Sequence, residues 1–357
     1  MVKQWLRPSL NWLLPFVLAA IYLEHAQPEK HTFIFMSACL AIIPLAALLG
    51  RATEGLAAHM GEAFGGLLNA TFGNAAEFII ALIALKAGQI DIVKASLIGS
   101  LIGNVLLVLG ISLLVGGIKH PVQQFNVQGA KSQAIDFSIA AVALIIPAAF
   151  YALGMKWVTD KTMSHLSLTI SIILITTYAL SLVFTLYTHR GGKTDSHEPE
   201  RGSQWSLKFS IMALVLSAAM IAWMSEILVG SVTLAAQAMG MSNAFVGVIV
   251  VAIVGNAAEH STAIVMAMKN RLDLSMVIAI GSGVQIALFV APLLVVLSYV
   301  LPLTQMDLIF GKGEILMVVL ASYILTQATE IGESTWYKGA QLLAVYSIIA
   351  VALFLYK

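Results

Sequence analysis

Hydrophobic residues come in long runs along this chain, and polar residues come in short interruptions. Apolar stretches of membrane-spanning length fall at 10–25, 31–58, 64–87, 91–117, 132–153 and 164–187, then at 207–239, 243–268, 274–302, 314–330 and 337–356. About 20 helical residues cross the hydrocarbon core of a bilayer, so each run has the length of one transmembrane helix. Short alternating strands of the kind that build a membrane barrel are missing from the pattern. It predicts an all-α integral membrane fold of eleven transmembrane helices. Thr188 to Ser206, with Gly191, Gly192, Asp195, Glu198, Pro199, Glu200 and Gly202, is the one long polar segment. It reads as a solvated linker, dividing the chain into a first helix within 1–30, five helices over 31–187, the linker at 188–206 and five more helices over 207–357.

Composition agrees and narrows the class. Of the 357 residues, 59% are hydrophobic and 10% charged, where soluble domains carry ~25% charged residues. A bilayer is therefore the expected environment, with no room left for a large soluble domain. The 19 basic and 18 acidic residues nearly cancel, without any block of like charge. Nucleic acid is excluded as a partner. The single cysteine, Cys39, lies in an apolar run and is expected to be a small buried hydrophobe. No small-residue cleavage site follows Leu23, so the first run is expected to be a retained helix. With the N-terminus inside, twelve of the 19 Lys and Arg fall on the cytoplasmic side. That bias favours a cytoplasmic N-terminus and a cytoplasmic linker.

An internal repeat changes the picture most. Gly73-Asn74-Ala75-Ala76-Glu77 recurs 182 residues later as Gly255-Asn256-Ala257-Ala258-Glu259. The same offset, without a gap, sets Asp91 on Asp273 and Ile98-Gly99-Ser100 on Ile280-Gly281-Ser282. Identities among Gly, Asn, Glu, Asp and Ser do not arise from a shared apolar alphabet, so the chain is read as a duplication. Five helices per copy is an odd number, which makes the second copy enter the membrane in the opposite sense. Two inverted five-helix repeats follow, with a substrate site expected near the bilayer midplane where the copies meet. Gly65, Gly66, Gly73, Gly247 and Gly255 lie in the motif helices, where each serves either as a helix break or as a close packing contact.

Two carboxylates stand out against this background. Glu77 and Glu259 read as mid-helix residues in apolar surroundings, where a charge costs ~2.5–3.5 kcal/mol on insertion scales. Asn74 and Asn256 precede them by three positions, so that amide and carboxylate share a helix face. A hard divalent cation such as Ca²⁺ takes six to eight oxygen ligands from carboxylates, amides, carbonyls and water. Two such faces would offer two charges and two amide oxygens; once the ion departs, a carboxylate left in low dielectric takes up a proton. Ser100 and Asn104 on the fourth helix, with Ser282 and Gln285 on the ninth, could complete the shell or simply bond between helices. Glu54 and Glu226, on the first helix of each repeat, could relay ions along access pathways or make salt bridges, Arg51 being a candidate partner. His260 breaks the repeat symmetry, since Phe78 is its counterpart; it reads as a tuning group or as a packed histidine. Asp136, Glu330 and Glu333, near membrane ends, read as boundary or gating residues, while Thr326, Gln327 and Thr329 form a polar cluster without an assigned role.

The doubled Gly-Asn-Ala-Ala-Glu motif, the Gly99-Ser100 and Gly281-Ser282 steps, and Trp336-Tyr337-Lys338-Gly339-Ala340 resemble the calcium/proton exchangers of the cation/calcium antiporter superfamily. The resemblance runs from about Arg51 to the C-terminus. It implies an antiporter with Glu77 and Glu259 as central ion and proton sites, surrounded by Asn74, Asn256, Ser100, Asn104, Ser282 and Gln285. Many members carry a strongly acidic linker, whereas Arg190, Lys193, Arg201 and Lys208 here balance Asp195, Glu198 and Glu200. The absence of a long N-terminal extension points to a bacterial-type plasma-membrane protein. The expectation is Ca²⁺ export driven by H⁺ entry, with Ca²⁺ and H⁺ as the transported partners, no cofactor and no enzymatic role. Rival readings are a Na⁺-coupled Ca²⁺ exchanger, a monovalent cation/H⁺ antiporter and a divalent-cation channel, and a homo-oligomer stays open.

Overall fold

A computed structural model describes residues 10–60, 64, 65, 68, 71–154, 159–184 and 205–355. Its helices, in chain order, are α1 (Pro15–Ala26), α2 (His31–Ala57), α3 (Ala75–Lys86), α4 (Ile90–Lys119), α5 (Val127–Ala152) and α6 (Asp160–Val183). The second half adds α7 (Leu207–Ala238), α8 (Asn243–Gly255), α9 (Ala257–Met268), α10 (Leu272–Val300), α11 (Lys312–Ala328) and α12 (Trp336–Leu355). Two short strands, β1 (Gln123–Gln124) and β2 (Glu333–Ser334), pair antiparallel. Among the described residues seven helices are long and apolar enough to cross a membrane, and the bent pair α8 and α9 makes an eighth. The all-α membrane fold is as expected. The other three expected spans fall on α1, α3 and α11, whose described helices of 12, 12 and 17 residues are shorter than a full crossing. Residues 188–204 of the expected linker lie outside the described residues, as do Lys3, Arg7 and Gly66.

The described chain folds as two compact units, each drawing on both halves of the sequence. In the first, α2 and α7 lie along one another. The reason is periodicity: α2 buries Ala38, Ala41, Leu45, Leu49 and Ala52, while α7 buries Ile221, Met224, Leu228, Val232 and Ala235. Both sets step by three, four, four and three residues, which keeps one stripe on one face and favours shallow helix crossing. Cys39 is buried on α2, 3% exposed.

Packing in the second unit depends on glycine. A Cβ added at Gly339 of α12 would stand 2.6 Å from the carbonyl oxygen of Gly110 on α4, so these helices touch backbone to backbone. Gly247 of α8 meets the Ala95 side chain of α4 in the same way, at 2.5 Å. Small residues at a membrane helix interface permit this approach, which gains dispersion contacts that lipid does not supply. Beside α4, Lys94 Nζ reaches Asp307 Oδ1 at 2.6 Å and the carbonyl of Ile309 at 2.7 Å, fixing the connection between α10 and α11.

The 182-residue offset reappears in backbone geometry. A π-turn widens α4 at Gly103–Val108, and another widens α10 at Ile286–Val290, the corresponding stretch of the second copy. Gly88 and Asn270, also 182 residues apart, follow α3 and α9 with φ of 75° and 59°. Asn is among the few side-chain-bearing residues that adopt this left-handed conformation readily, so the second copy keeps the turn after losing the glycine.

Candidate functional site

Both copies of the repeated motif interrupt their helix at the Gly-Asn step. Gly73 and Asn74 form a turn ahead of α3, and Asn256 separates α8 from α9, where the axis bends by 64°. Glu77 and Glu259 are therefore third residues of α3 and α9, in the first turn of a half-helix. This corrects the mid-helix placement read from the sequence, because the apolar run continues across a break that hydropathy does not register. At a helix start the first N–H groups lack intrahelical acceptors, and the aligned peptide dipoles favour negative charge. A broken helix thus gives a carboxylate a favourable field inside an apolar layer.

In the first unit, Asn74, Glu77 and Asn256 are buried, with exposures of 2, 9 and 0%. Gly255 leaves the space that Glu77 uses: a Cβ there would stand 3.2 Å from Glu77 Cγ. Gly65 makes a close approach instead, since its Cβ would fall 2.6 Å from the Ala57 carbonyl oxygen. The glycines of the motif helices therefore divide between the two expected roles. Gly73 belongs to a break, Gly247 and Gly65 to packing, and Gly255 to both the break and the room beside Glu77.

In the second unit, a chain of polar side chains leads away from Glu259. Its carboxylate accepts the Ser282 hydroxyl of α10. Asn104 Nδ2 donates to Ser282 Oγ at 3.0 Å, and Asn104 Oδ1 lies 3.1 Å from His260 Nε2. Asn104 belongs to the π-turn of α4, which rotates it out of simple helical register. Ser100, one turn earlier, is buried, and half-buried Gln285 immediately precedes the π-turn of α10. Oε2 of Glu259 is buried without a hydrogen bond among the described residues, as is Oε2 of Glu77, although Glu77 is engaged through its other atoms. The link from His260 to Asn104 was not legible in the sequence. Its only signal was the histidine's position directly after Glu259.

The outer acidic pair is different in kind. Glu54 and Glu226 are exposed on α2 and α7. Allowing for the 182-residue offset they stand ten positions apart, roughly 15 Å along a helix, so they are not repeat counterparts. Arg51, the expected partner of Glu54, instead donates to Asn11 Oδ1 and to the Ala47 carbonyl, both at 3.3 Å.

Chemically, each unit offers one carboxylate at a helix start with neutral oxygens close by in sequence or space. Such groups suit a hard cation or a proton.

Comparison with known proteins agrees. A family model described as sodium/calcium exchanger protein matches residues 30–187 and 209–355. The chain is 45% identical over 328 residues to the Ca(2+)/H(+) antiporter ChaA of Bacillus subtilis (strain 168), covering 90% of this chain and 92% of that protein. It is 40% identical over 339 residues to a Ca(2+)/H(+) antiporter of Aphanothece halophytica, covering 90% of each. The solved structure of native YfkE superposes with a TM-score of 0.81 at 40% identity, over 96% of this chain and 99% of that one. The chain belongs to the sodium/calcium exchanger protein family and groups within it with the calcium/proton antiporters, in agreement with the resemblance carried by its doubled motif.

Proposed function

We propose that the protein is a secondary active antiporter that exports cytoplasmic Ca²⁺ in exchange for H⁺ by alternating access. The observation that carries this reading is the repeated helix break, which sets one carboxylate in the first turn of each of two half-helices within apolar sequence. Two carboxylates balance one divalent charge. When the ion leaves, retaining both charges in low dielectric is costly, and protons replace it. Glu77 and Glu259 are then the exchange sites. Asn74, Asn256, Ser100, Ser282, Asn104 and Gln285 supply neutral oxygens, Glu54 and Glu226 line the access pathways, and His260 acts through Asn104 as a gating group. The Ca(2+)/H(+) antiporters at 45 and 40% identity support the choice of ions.

In this reading the chain comprises a first helix and two inverted repeats of five, eleven helices in all, in the plasma membrane with N-terminus and linker cytoplasmic. The twelve basic residues on that side support the orientation. The test is radiolabelled Ca²⁺ uptake into everted vesicles under an imposed pH gradient. Glu77→Gln and Glu259→Gln are each expected to lower uptake about a hundredfold or more, since each removes a charge and a proton carrier. Uptake that survives both substitutions, or that follows a Na⁺ gradient and ignores pH, would overturn the proposal.

A further inference from the structure

A cleft of about 580 Å³ opens on the side of the second unit, between the start of α5 and the end of α11. Its α5 wall is apolar and faces outward: Ile135, Ile139 and Val142 are 61, 41 and 53% exposed. Spaced by four and three residues, they form one continuous stripe. Lys131 lies one turn ahead of Ile135 on that stripe and lines the same cleft. From Lys131 to Val142 the helix rises roughly 16 Å, the scale of a phosphate followed by much of an acyl chain.

The opposite wall supplies the other charge. Glu330, just beyond α11, is exposed and lines the cleft with Gln327. Lys131 and Glu330 share this end of the cleft, yet no ion pair joins them among the described residues. The floor is fixed, because Ser138 Oγ of α5 and Ser322 Oγ of α11 are hydrogen bonded at 3.0 Å. An outward-facing slot with an apolar stripe and two separated, opposite charges at one end is complementary to a lipid that carries both charges in its headgroup.

We propose that this cleft is a binding site for an aminophospholipid, with phosphatidylethanolamine as the occupant. Lys131 holds the phosphate, Glu330 and the Gln327 carbonyl accept from the primary ammonium, and an acyl chain lies along Ile135, Ile139 and Val142. Headgroup chemistry makes the assignment specific. A primary ammonium donates three hydrogen bonds, phosphatidylcholine donates none, and phosphatidylglycerol brings no cation to Glu330. The site goes beyond ion exchange and does not depend on it.

The experiment is native mass spectrometry of the purified full chain after exposure to an equimolar mixture of palmitoyl-oleoyl phosphatidylethanolamine, phosphatidylcholine and phosphatidylglycerol. Phosphatidylethanolamine is expected to be retained over each of the others by about fivefold, the size of one good charge contact at an exposed site. Glu330→Gln should abolish its advantage over phosphatidylglycerol. Lys131→Gln should reduce retention of all three lipids, since each carries the phosphate, and Ile139→Trp, which fills the stripe, should do so as well. Equal retention of the three lipids by the wild-type chain would overturn the site. A preference unmoved by Glu330→Gln would do the same, as would retention of all three lipids unmoved by Lys131→Gln, or a preference for phosphatidylglycerol that depends on Lys131 alone.

Discussion

Glu77 and Gly255 come from the two copies of the repeated motif, and their contact makes the glycine part of the proposed site. With the carboxylate's Cγ 3.2 Å from a Cβ that Gly255 lacks, a valine there must displace Glu77. Gly255→Val should cut Ca²⁺ uptake by about tenfold or more, as expected when a reacting group is misplaced by an ångström or less. Thermal melting run alongside should show a folded protein, and unchanged uptake would remove Glu77's placement from the mechanism. Protonation gives a second test at this scale. In the proposed exchange, protons and Ca²⁺ compete for the same carboxylates, so Ca²⁺ affinity should fall as pH falls, approaching about a hundredfold per unit where two protons are displaced. Equilibrium binding that does not vary with pH would contradict that linkage. The glutamates were legible in the sequence because a charge in an apolar run is expensive and these two occupy matching places. The bond from His260 to Asn104 was not, since it joins residues 156 positions apart and no local period encodes it.

At the scale of elements, glycine and asparagine do what hydropathy cannot report. The run at 243–268 reads as one span, yet Asn256 splits it into α8 and α9 with a 64° bend. That break creates the helix start on which Glu259 sits, so the functional geometry is concealed within an ordinary transmembrane signal. Three π-turns among the described residues are equally silent: Gly103–Val108, Ile286–Val290 and Val246–Val251 of α8 contain no residue that demands them, and the first two become readable only as a pair at corresponding positions. Glycines at crossings are more transparent. Gly339 against Gly110 admits no side chain, so Gly339→Val should separate α12 from α4 and destabilise the protein by about 1–3 kcal/mol, the usual range for overpacking. Detergent-solubilised melting curves would register this as a lowered Tm, whereas an unchanged Tm would mean that the two helices are not held in contact. Lys94, bound to Asp307 and Ile309, secures a connection whose partner lies 213 residues away, again beyond local pattern.

For the whole molecule, duplication accounts for most of what is seen. The repeated motif yields two related helix breaks, each followed by a carboxylate in the first turn of the next helix. Each compact unit draws on both halves of the chain. Alternating access asks for such relatedness, because two related copies can exchange roles when the site turns from one side of the membrane to the other. Scarcity of charge, 10% of residues, first identifies a bilayer protein and then singles out the few acids within its apolar runs, to which the proposed function assigns the exchange. The lateral cleft of α5 and α11 had no such signature, because Lys131 and Glu330 read as ordinary boundary charges until folding brings them to one slot. The most direct test of the exchange itself is Ca²⁺ flux in proteoliposomes holding only this protein, with an imposed pH gradient and no Na⁺. Accumulation of Ca²⁺ against its own gradient, collapsing when a protonophore dissipates the pH difference and reversing when that difference is inverted, is the predicted result. Flux that only equilibrates Ca²⁺, or that proceeds unchanged without a pH gradient, would contradict it.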